Sequence, residues 1–568
     1  MQPYVILPAT GSEPADEWLR LGIEAQVANK LPDAERHYRH ALRLSPGHAG
    51  ARQNLGVLHA QQNALADGLM AMECATLLDP ALEIVWANWA LMLIEAERYD
   101  EAVTIAQRGV EQKATAETRL ALAMALTATG KAKDAAPIYS HVLAETDGVD
   151  SQAYTLAGFN SCFVSTLASP SPEEAQAIRS RWYDRFRYTG AQSGHANERT
   201  IHRPLRVGYV SGDFKQHSAA FIFVAVVLTH DRSRILPYLY STLPVNPAAD
   251  GMTAKFHGAG TWRDISAMTD EDTDGLVRQD AIDILVDLSG HTGGNRLVLF
   301  TRRPAPIQIT GWGFAHGTGV KEMDYFFADP VALPENERAC YIEQVWDLPC
   351  IVAYSPPGDY HLKGVSPLPA NRSEGGVITF GAFSRFEKLS DECLDTWAEI
   401  LRRYPDSRLL FKDRASRRPF TIKRFREHMG EVDPHRLLFS LDTNHPDHLM
   451  AYQQADLILD SFPHTGGVAS IEQLYMGVPI VTLYGRNPGE RTTSAVLTAM
   501  GRHGWIAQSP DEYIDLAVGM AKDHHMLSVV RKTLREELLA SPLCNGTYVR
   551  AVEEAYRAMW QRWIAAAA

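Results

Sequence analysis

The chain has 568 residues, enough for three or four domains at ~100–200 residues each. With 45% hydrophobic and 22% charged residues it is not a disordered chain, and no run of ~18 apolar residues suggests a membrane span. A net charge of -13 excludes nucleic acid and anionic membrane as bulk partners. Six scattered cysteines with no CxxC pair, behind an N-terminus without a signal-peptide pattern, point to a reduced, cytoplasmic protein.

The first predicted elements repeat. HYRHALRLSP (37–46) and AMECATLLDP (71–80) close on prolines 34 residues apart, and the offset recurs at Leu21-Gly22, Leu55-Gly56 and Trp89-Ala90. A drifted fourth copy is LALAMALTATGKAKDAAPIYSHVL (120–143). Each unit predicts two amphipathic helices, with small residues at close packing points and Pro ending the second helix. A 34-residue period of this kind resembles the tetratricopeptide repeat over about residues 15–147. The expectation is an α-helical solenoid over residues 1–150, its concave face suited to an extended acceptor polypeptide or to homodimerisation. Asn54 and Asn88 occupy equivalent positions, where their amides can bond the backbone of a bound peptide; the first and fourth copies carry Arg20 and Leu122 there.

A helical connector (151–203) is predicted next, containing SPSPEE (169–174). The pattern then becomes short apolar runs alternating with helical stretches: LRVGYVSGDF (205–214), ILPYLYS (235–241), DILVDLSG (283–290), IQITGWG (307–313) and DYFFAD (324–329). This predicts a Rossmann-like α/β lobe over 204–355. A Pro- and Gly-rich linker (356–376) leads to a second such lobe over 377–568. Its strands are expected at 377–383, 407–412, 436–440, 455–460 and 479–483. Two doubly wound lobes in tandem place a ligand in the crevice at the carboxyl ends of their strands. An amphipathic helix at 547–563 is expected to cross back onto the first lobe.

Four loops carry candidate chemistry. In DLILDSFPHTGGVASIEQLYMGVPIVTL (456–483) a strand ends, adjacent Gly466 and Gly467 follow, and a helix begins near Val468. Its first backbone N–H groups, Ser470 among them, suit a phosphate. Thr465 can add a hydroxyl and Glu472 can accept from ribose hydroxyls; the same pattern also fits an ordinary strand-to-helix turn. In GAFSRFEKLS (381–390), Arg385 and Lys388 face the same crevice, where a lysine can neutralise a departing diphosphate. In SGDFKQHSAAF (211–221), His217 can take a proton from an acceptor hydroxyl, or cap a helix, or orient substrate. The loop containing His291, Thr292 and Gly293, together with His316, suits a polar sugar or plain turns, and His448 can stack on a nucleobase or lie on the surface. TDEDTD (269–274) reads as a helix N-cap with solvated carboxylates, so no metal is expected.

Taken together, the repeats and the segments LRVGYVSGDFKQH, RRPAPIQ, FEKLS and ADLILDSFPHTGG resemble the O-GlcNAc transferases, nucleotide-sugar glycosyltransferases with the two-lobed GT-B fold. The resemblance spans about 15–565 and, with so short an interlobe linker, points to a compact bacterial-type member. It implies a UDP-sugar donor, an acceptor polypeptide in the repeat groove, and neither metal nor other cofactor. By the same resemblance Lys388 contacts the diphosphate, His448 stacks on uracil, Glu472 holds the ribose, and His217 acts as base, acceptor-orienting group or donor ligand. Arg385 stands where many members have Gln, and the 465–470 loop departs from the animal His-Thr-Thr pattern, which leaves the phosphates more to backbone N–H groups. The implied reaction is inverting, metal-independent transfer of N-acetylglucosamine from UDP-GlcNAc to Ser/Thr hydroxyls. Rival readings are a protein O-fucosyltransferase using GDP-fucose, a glucosyltransferase using UDP-Glc, and a non-catalytic peptide-binding scaffold.

Overall fold

A computed structural model describes residues 4–9, 11, 13–146, 152–356, 364–441 and 443–566. Parts of the predicted interlobe linker (357–363) and the predicted 150/151 boundary lie outside the described residues. The chain divides into two compact units, Met1–Ala168 and Ser169–Ala568.

The first unit is built from helix pairs: α1 (Pro14–Val27) with α2 (Leu31–Leu44), α3 (Ala49–Gln61) with α4 (Leu65–Leu78), α5 (Glu83–Glu95) with α6 (Tyr99–Gln112), and α7 (Ala116–Ala128) with α8 (Ala132–Glu145). A further helix, α9 (Gln152–Ala168), packs on α7 and α8. The sequence period has a backbone cause. In the turn inside each pair, one residue takes a left-handed conformation: Asn29 (φ 57), Asn63 (φ 61), Glu97 (φ 56) and Gly130 (φ 75). The next N–H then reaches back to the last helical turn, as in Lys30 to Ala25, Ala64 to His59, Arg98 to Leu93 and Lys131 to Leu126, which satisfies carbonyls the helix end would orphan. Small residues set the packing distance. A Cβ on Gly56 would stand 2.9 Å from the Cβ of Ala71, so α3 and α4 meet almost backbone to backbone.

The second unit contains two parallel sheets. The first is formed by β1 (Leu205–Ser211), β2 (Ile235–Ser241), β3 (Thr261–Asp264), β4 (Ile284–Asp287), β5 (Ile307–Thr310), β6 (Tyr325–Ala328) and β7 (Gln344–Asp347), ordered β3-β2-β1-β4-β5-β6-β7. The second is formed by β8 (Ile378–Ala382), β9 (Ser407–Lys412), β10 (Leu437–Ser440), β11 (Leu457–Leu459), β12 (Ile480–Leu483) and β13 (Ile506–Ala507), ordered β10-β9-β8-β11-β12-β13. Both are doubly wound, so strand order reverses between β1 and β4 and again between β8 and β11. Ligand crevices form at such reversals.

Several predicted elements differ in detail. β3, β7 and β13 were not expected: β3 and β7 lie at sheet edges and are partly exposed, so neither shows a continuous apolar run. Two helices follow β13, Pro510–Lys522 and His524–Ala540, divided at Asp523, whose carboxylate caps the second through Met526 N–H. TDEDTD forms the first turn of the helix Asp270–Gln279, where Thr269 accepts from Asp272 N–H. The closing helix, Thr547–Ala565, lies on the first lobe: Trp312 Nε1 donates to Tyr548 Oη at 2.8 Å, and Glu553 Oε1 meets His230 Nδ1 at 3.1 Å.

Candidate active site

Four of the loops singled out from sequence leave the carboxyl ends of strands at the two reversal points, while His316 follows β5 and His448 lies on the helix His445–Tyr452 after β10. His217 follows β1, His291 follows β4, Lys388 follows β8, and the 460–467 loop follows β11. Between the lobes lies a cleft of about 260 Å³ lined by His217, Phe221, His445, His448, Val468 and Glu472, among others. Phe221 stacks on His445 with ring centroids 4.6 Å apart, so the two lobes touch at its wall.

The 460–467 loop is held from beneath. Asp460 is buried, and its carboxylate accepts from Gly466 N–H at 2.9 Å and from Thr482 Oγ1 at 2.8 Å. Burial pushes its pKa up, against those hydrogen bonds and Lys388. Lys388 donates through Nζ to the Thr465 carbonyl at 2.9 Å. The residue is half-buried, and desolvation with nearby Arg385 lowers its pKa to about 7. Gly466 is required by its neighbours: a Cβ there would lie 2.1 Å from Ser470 Oγ. At Gly467, which opens the helix Val468–Tyr475, a Cβ would meet nothing within 4 Å. The helix start therefore faces free space beside a cationic amine, a geometry that takes an anion.

The Thr465 hydroxyl, expected to face a ligand, is turned inward, as is that of Ser470. Thr465 Oγ1 donates to the Gly489 carbonyl at 3.1 Å, and Ser470 Oγ pairs with Thr493 Oγ1 at 2.8 Å. Both brace the loop, because a buried hydroxyl must find a partner. That leaves backbone N–H groups as the donors available at the helix start.

A chain of polar groups runs from β9 to Glu472. Lys412, the last residue of β9, places Nζ 3.0 Å from His448 Nδ1, and His448 Nε2 lies 2.7 Å from Tyr452 Oη. Tyr452 Oη donates to Glu472 Oε2 at 3.3 Å, while Glu472 Oε1 meets His445 Nε2 at 2.6 Å. If the ammonium of Lys412 donates, Nδ1 of His448 is the acceptor and Nε2 carries the proton. Both ring nitrogens of His448 are thus engaged within the protein, and the residue lines the cleft. Lys412, His445 and Tyr452 were not singled out from sequence. A lysine at the end of a buried strand (SRLLFK) and two histidines one helical turn apart (NHPDH) are the signals that point to them.

His217 is about half exposed (46%), and its Nδ1 has two competing neighbours, Asp213 Oδ1 at 3.4 Å and Ala219 N–H at 3.3 Å. Accepting from Ala219 leaves the proton on Nε2; donating to Asp213 frees Nε2 as a base. Arg385 is exposed and pairs with Glu387 at 3.1 Å, so it shapes the field at Lys388 without lining the cleft.

The expected sugar loops lie deeper than the cleft. His291 and His316 are buried, and burial holds both near a pKa of 3, hence neutral. His291 Nε2 donates to the Thr318 carbonyl at 2.7 Å, and Thr292 Oγ1 donates to the Ser289 carbonyl at 2.7 Å, closing the turn before Gly293. Among the described residues, His291 Nδ1, His316 Nε2 and Glu343 Oε2 find no hydrogen-bond partner. The cluster adjoins the 460–467 loop, since Thr465 bonds the Gly489 carbonyl and a Cβ on Gly489 would stand 2.3 Å from the His316 ring.

In the repeat unit, Asn54 and Asn88 are fully buried, and their amides bond the chain's own N-terminal residues Leu7 and Val5. They are therefore not open to a peptide as the sequence suggested.

Comparison with known proteins accords with this arrangement. The family model described as Glycosyl transferase family 41 matches residues 186–352 and 371–552. A barley protein named "Probable UDP-N-acetylglucosamine--peptide N-acetylglucosaminyltransferase SPINDLY" is 36% identical over 401 residues, 67% of this chain and 41% of that protein. The SEC protein of the same description from Arabidopsis thaliana is 30% identical over 367 residues, 63% of this chain and 37% of its own length. The chain thus spans about two fifths of the length of these curated relatives. A solved mutant of the Thermobaculum terrenum O-GlcNAc transferase superposes with a TM-score of 0.78 at 28% identity, covering 98% of both chains. A helical repeat array and two doubly wound sheets, with polar and charged side chains gathered at their strand ends, agree with these matches: the chain belongs to glycosyl transferase family 41.

Proposed function

We propose that this chain is an inverting, metal-independent glycosyltransferase that moves N-acetylglucosamine from UDP-GlcNAc to Ser or Thr hydroxyls of polypeptides. The observation that carries the reading is the helix start at Gly467, open to free space, with the amine of Lys388 bound to the Thr465 carbonyl two residues before it and His448 and Glu472 lining the cleft with Val468. The diphosphate lies against Lys388 and the first N–H groups of the helix Val468–Tyr475, uracil stacks on His448, and Glu472 accepts from the ribose.

In the reaction, the acceptor oxygen attacks the anomeric carbon from the face opposite the diphosphate. A C–O bond to the acceptor forms as the bond to the phosphate oxygen breaks, so the anomeric configuration inverts. Negative charge grows on the departing diphosphate, where Lys388 and the helix dipole stabilise it; that fixed positive charge does the work a divalent cation would otherwise do. The acceptor proton passes to His217 or to water in the open side of the cleft.

The test is transfer of labelled N-acetylglucosamine from UDP-GlcNAc to a Ser/Thr peptide with and without EDTA. Equal rates are expected, and Lys388→Ala should lower the rate by at least 100-fold, the scale on which removal of a charge-stabilising donor acts. An EDTA-sensitive rate, or an active Lys388→Ala variant, would overturn the reading.

A further inference from the structure

Residues Tyr4–Ala9 lie extended along the repeat unit, held in the way a bound peptide would be. Asn88 accepts from Val5 N–H at 3.0 Å and donates to the Val5 carbonyl at 2.7 Å. Asn54 does the same for Leu7, at 2.8 and 2.9 Å. Gln53 Nε2 adds a second donor to the Val5 carbonyl at 3.0 Å. Each asparagine thus behaves as a neighbouring β-strand would, pairing with both the N–H and the C=O of one residue. One repeat step on the helices, Asn54 to Asn88, matches a two-residue step on the segment, which keeps the same backbone edge facing the amides.

These contacts read backbone, not side chains, and apolar packing supplies the rest. Tyr4 is buried, its hydroxyl bonds Glu95, and Val5, Ile6 and Leu7 pack against the core of α3 to α7. The positions equivalent to the two asparagines are Arg20 and Leu122 in the flanking repeats, so Val5 and Leu7 use both rungs of the ladder. A backbone-reading ladder fully taken by a segment of its own chain leaves no rung for another polypeptide.

We propose that Tyr4–Ala9 is a tethered, exchangeable occupant of the repeat groove, and that an acceptor polypeptide must displace it. The partner that fits is an extended, apolar segment presenting the N–H and C=O of alternate residues. Because the resident segment is covalently attached, it competes at an effective concentration in the millimolar range. The apparent affinity for an outside segment is reduced by the fraction of time the ladder is open. The proposal deepens the reading of this chain as a polypeptide glycosyltransferase, but its test needs no donor and no transfer, so the two stand or fall separately.

The probe is a fluorescent peptide of residues 2–11 of this sequence, added in trans and followed by anisotropy without nucleotide. In the full chain, Val5→Pro with Leu7→Pro removes both N–H groups that the asparagines accept. The peptide is expected to bind this variant, and a chain lacking residues 2–9, at least 10-fold more tightly than the unaltered chain. Adding Asn54→Ala and Asn88→Ala to the proline variant should abolish that gain. On the unaltered chain, excess unlabelled peptide should speed hydrogen exchange at the Val5 and Leu7 amides, a readout independent of how any variant folds. Equal peptide affinity across the chains, a gain that survives loss of both asparagines, or exchange at Val5 and Leu7 unmoved by peptide would overturn the proposal.

Discussion

Lys388 owes its proposed role to where its amine ends: 2.9 Å from a carbonyl, beside Arg385, with a pKa near 7 against ~10.4 for a free lysine. In the unliganded protein the ammonium is charged below pH 7 and loses its proton as pH rises through 7. A diphosphate favours the charged form, so above pH 7 binding must draw in a proton. UDP affinity is therefore expected to weaken by up to about tenfold per unit above pH 7, with uptake approaching one proton per UDP at pH 8. Calorimetry in buffers of different ionisation enthalpy checks this, and a heat independent of buffer would contradict it. Lys388, His448 and Glu472 were legible in the sequence because each lies at a strand end or at a helix start after one. Their partners were not, since Lys412 reaches His448 across 36 residues and His445 reaches Glu472 across 27. The two asparagines were legible as a ladder, but MQPYVILPATG offers no periodicity that names it as the occupant.

At the scale of the element, the 460–467 loop and the repeat turns make separate predictions. Gly466→Ala forces a Cβ to 2.1 Å from Ser470 Oγ, so it should lower both thermal stability and UDP binding. Gly467→Ala puts its methyl into open space at φ -117, so the fold should be kept while UDP binding falls. A melting curve and a UDP titration on each variant separate the two; equal behaviour would mean the helix start does not take the phosphates. In the repeats, Glu97 holds a left-handed φ of 56 where the equivalent turns use Asn or Gly. Glu97→Gly should raise the stability of the repeat unit by about 1 kcal/mol, read from chemical denaturation. The 34-residue period was legible because the same turn recurs in every pair. β3 and β7 were not legible because edge strands with solvent on one side carry no long apolar run.

For the whole molecule, two doubly wound lobes bring loops that are distant in sequence to one crevice. His217 and Glu472 stand 255 positions apart in the chain yet line the same cleft. Strand alternation and strand-end chemistry made this architecture legible, while the depth of the His291 and His316 cluster was not, because burial there follows from the packing of Trp182 and Phe314 around the rings. A net charge of -13 sets no attraction for an anion, so donor binding must be local to Lys388 and the helix start. The most direct measurement is calorimetry of the full chain with UDP, UDP-GlcNAc, UDP-Glc and GDP in the presence of chelator. UDP and UDP-GlcNAc should bind with chelator present, and GDP more weakly. Absence of UDP binding, or tighter binding of GDP, would contradict the assignment of this cleft to a UDP-sugar.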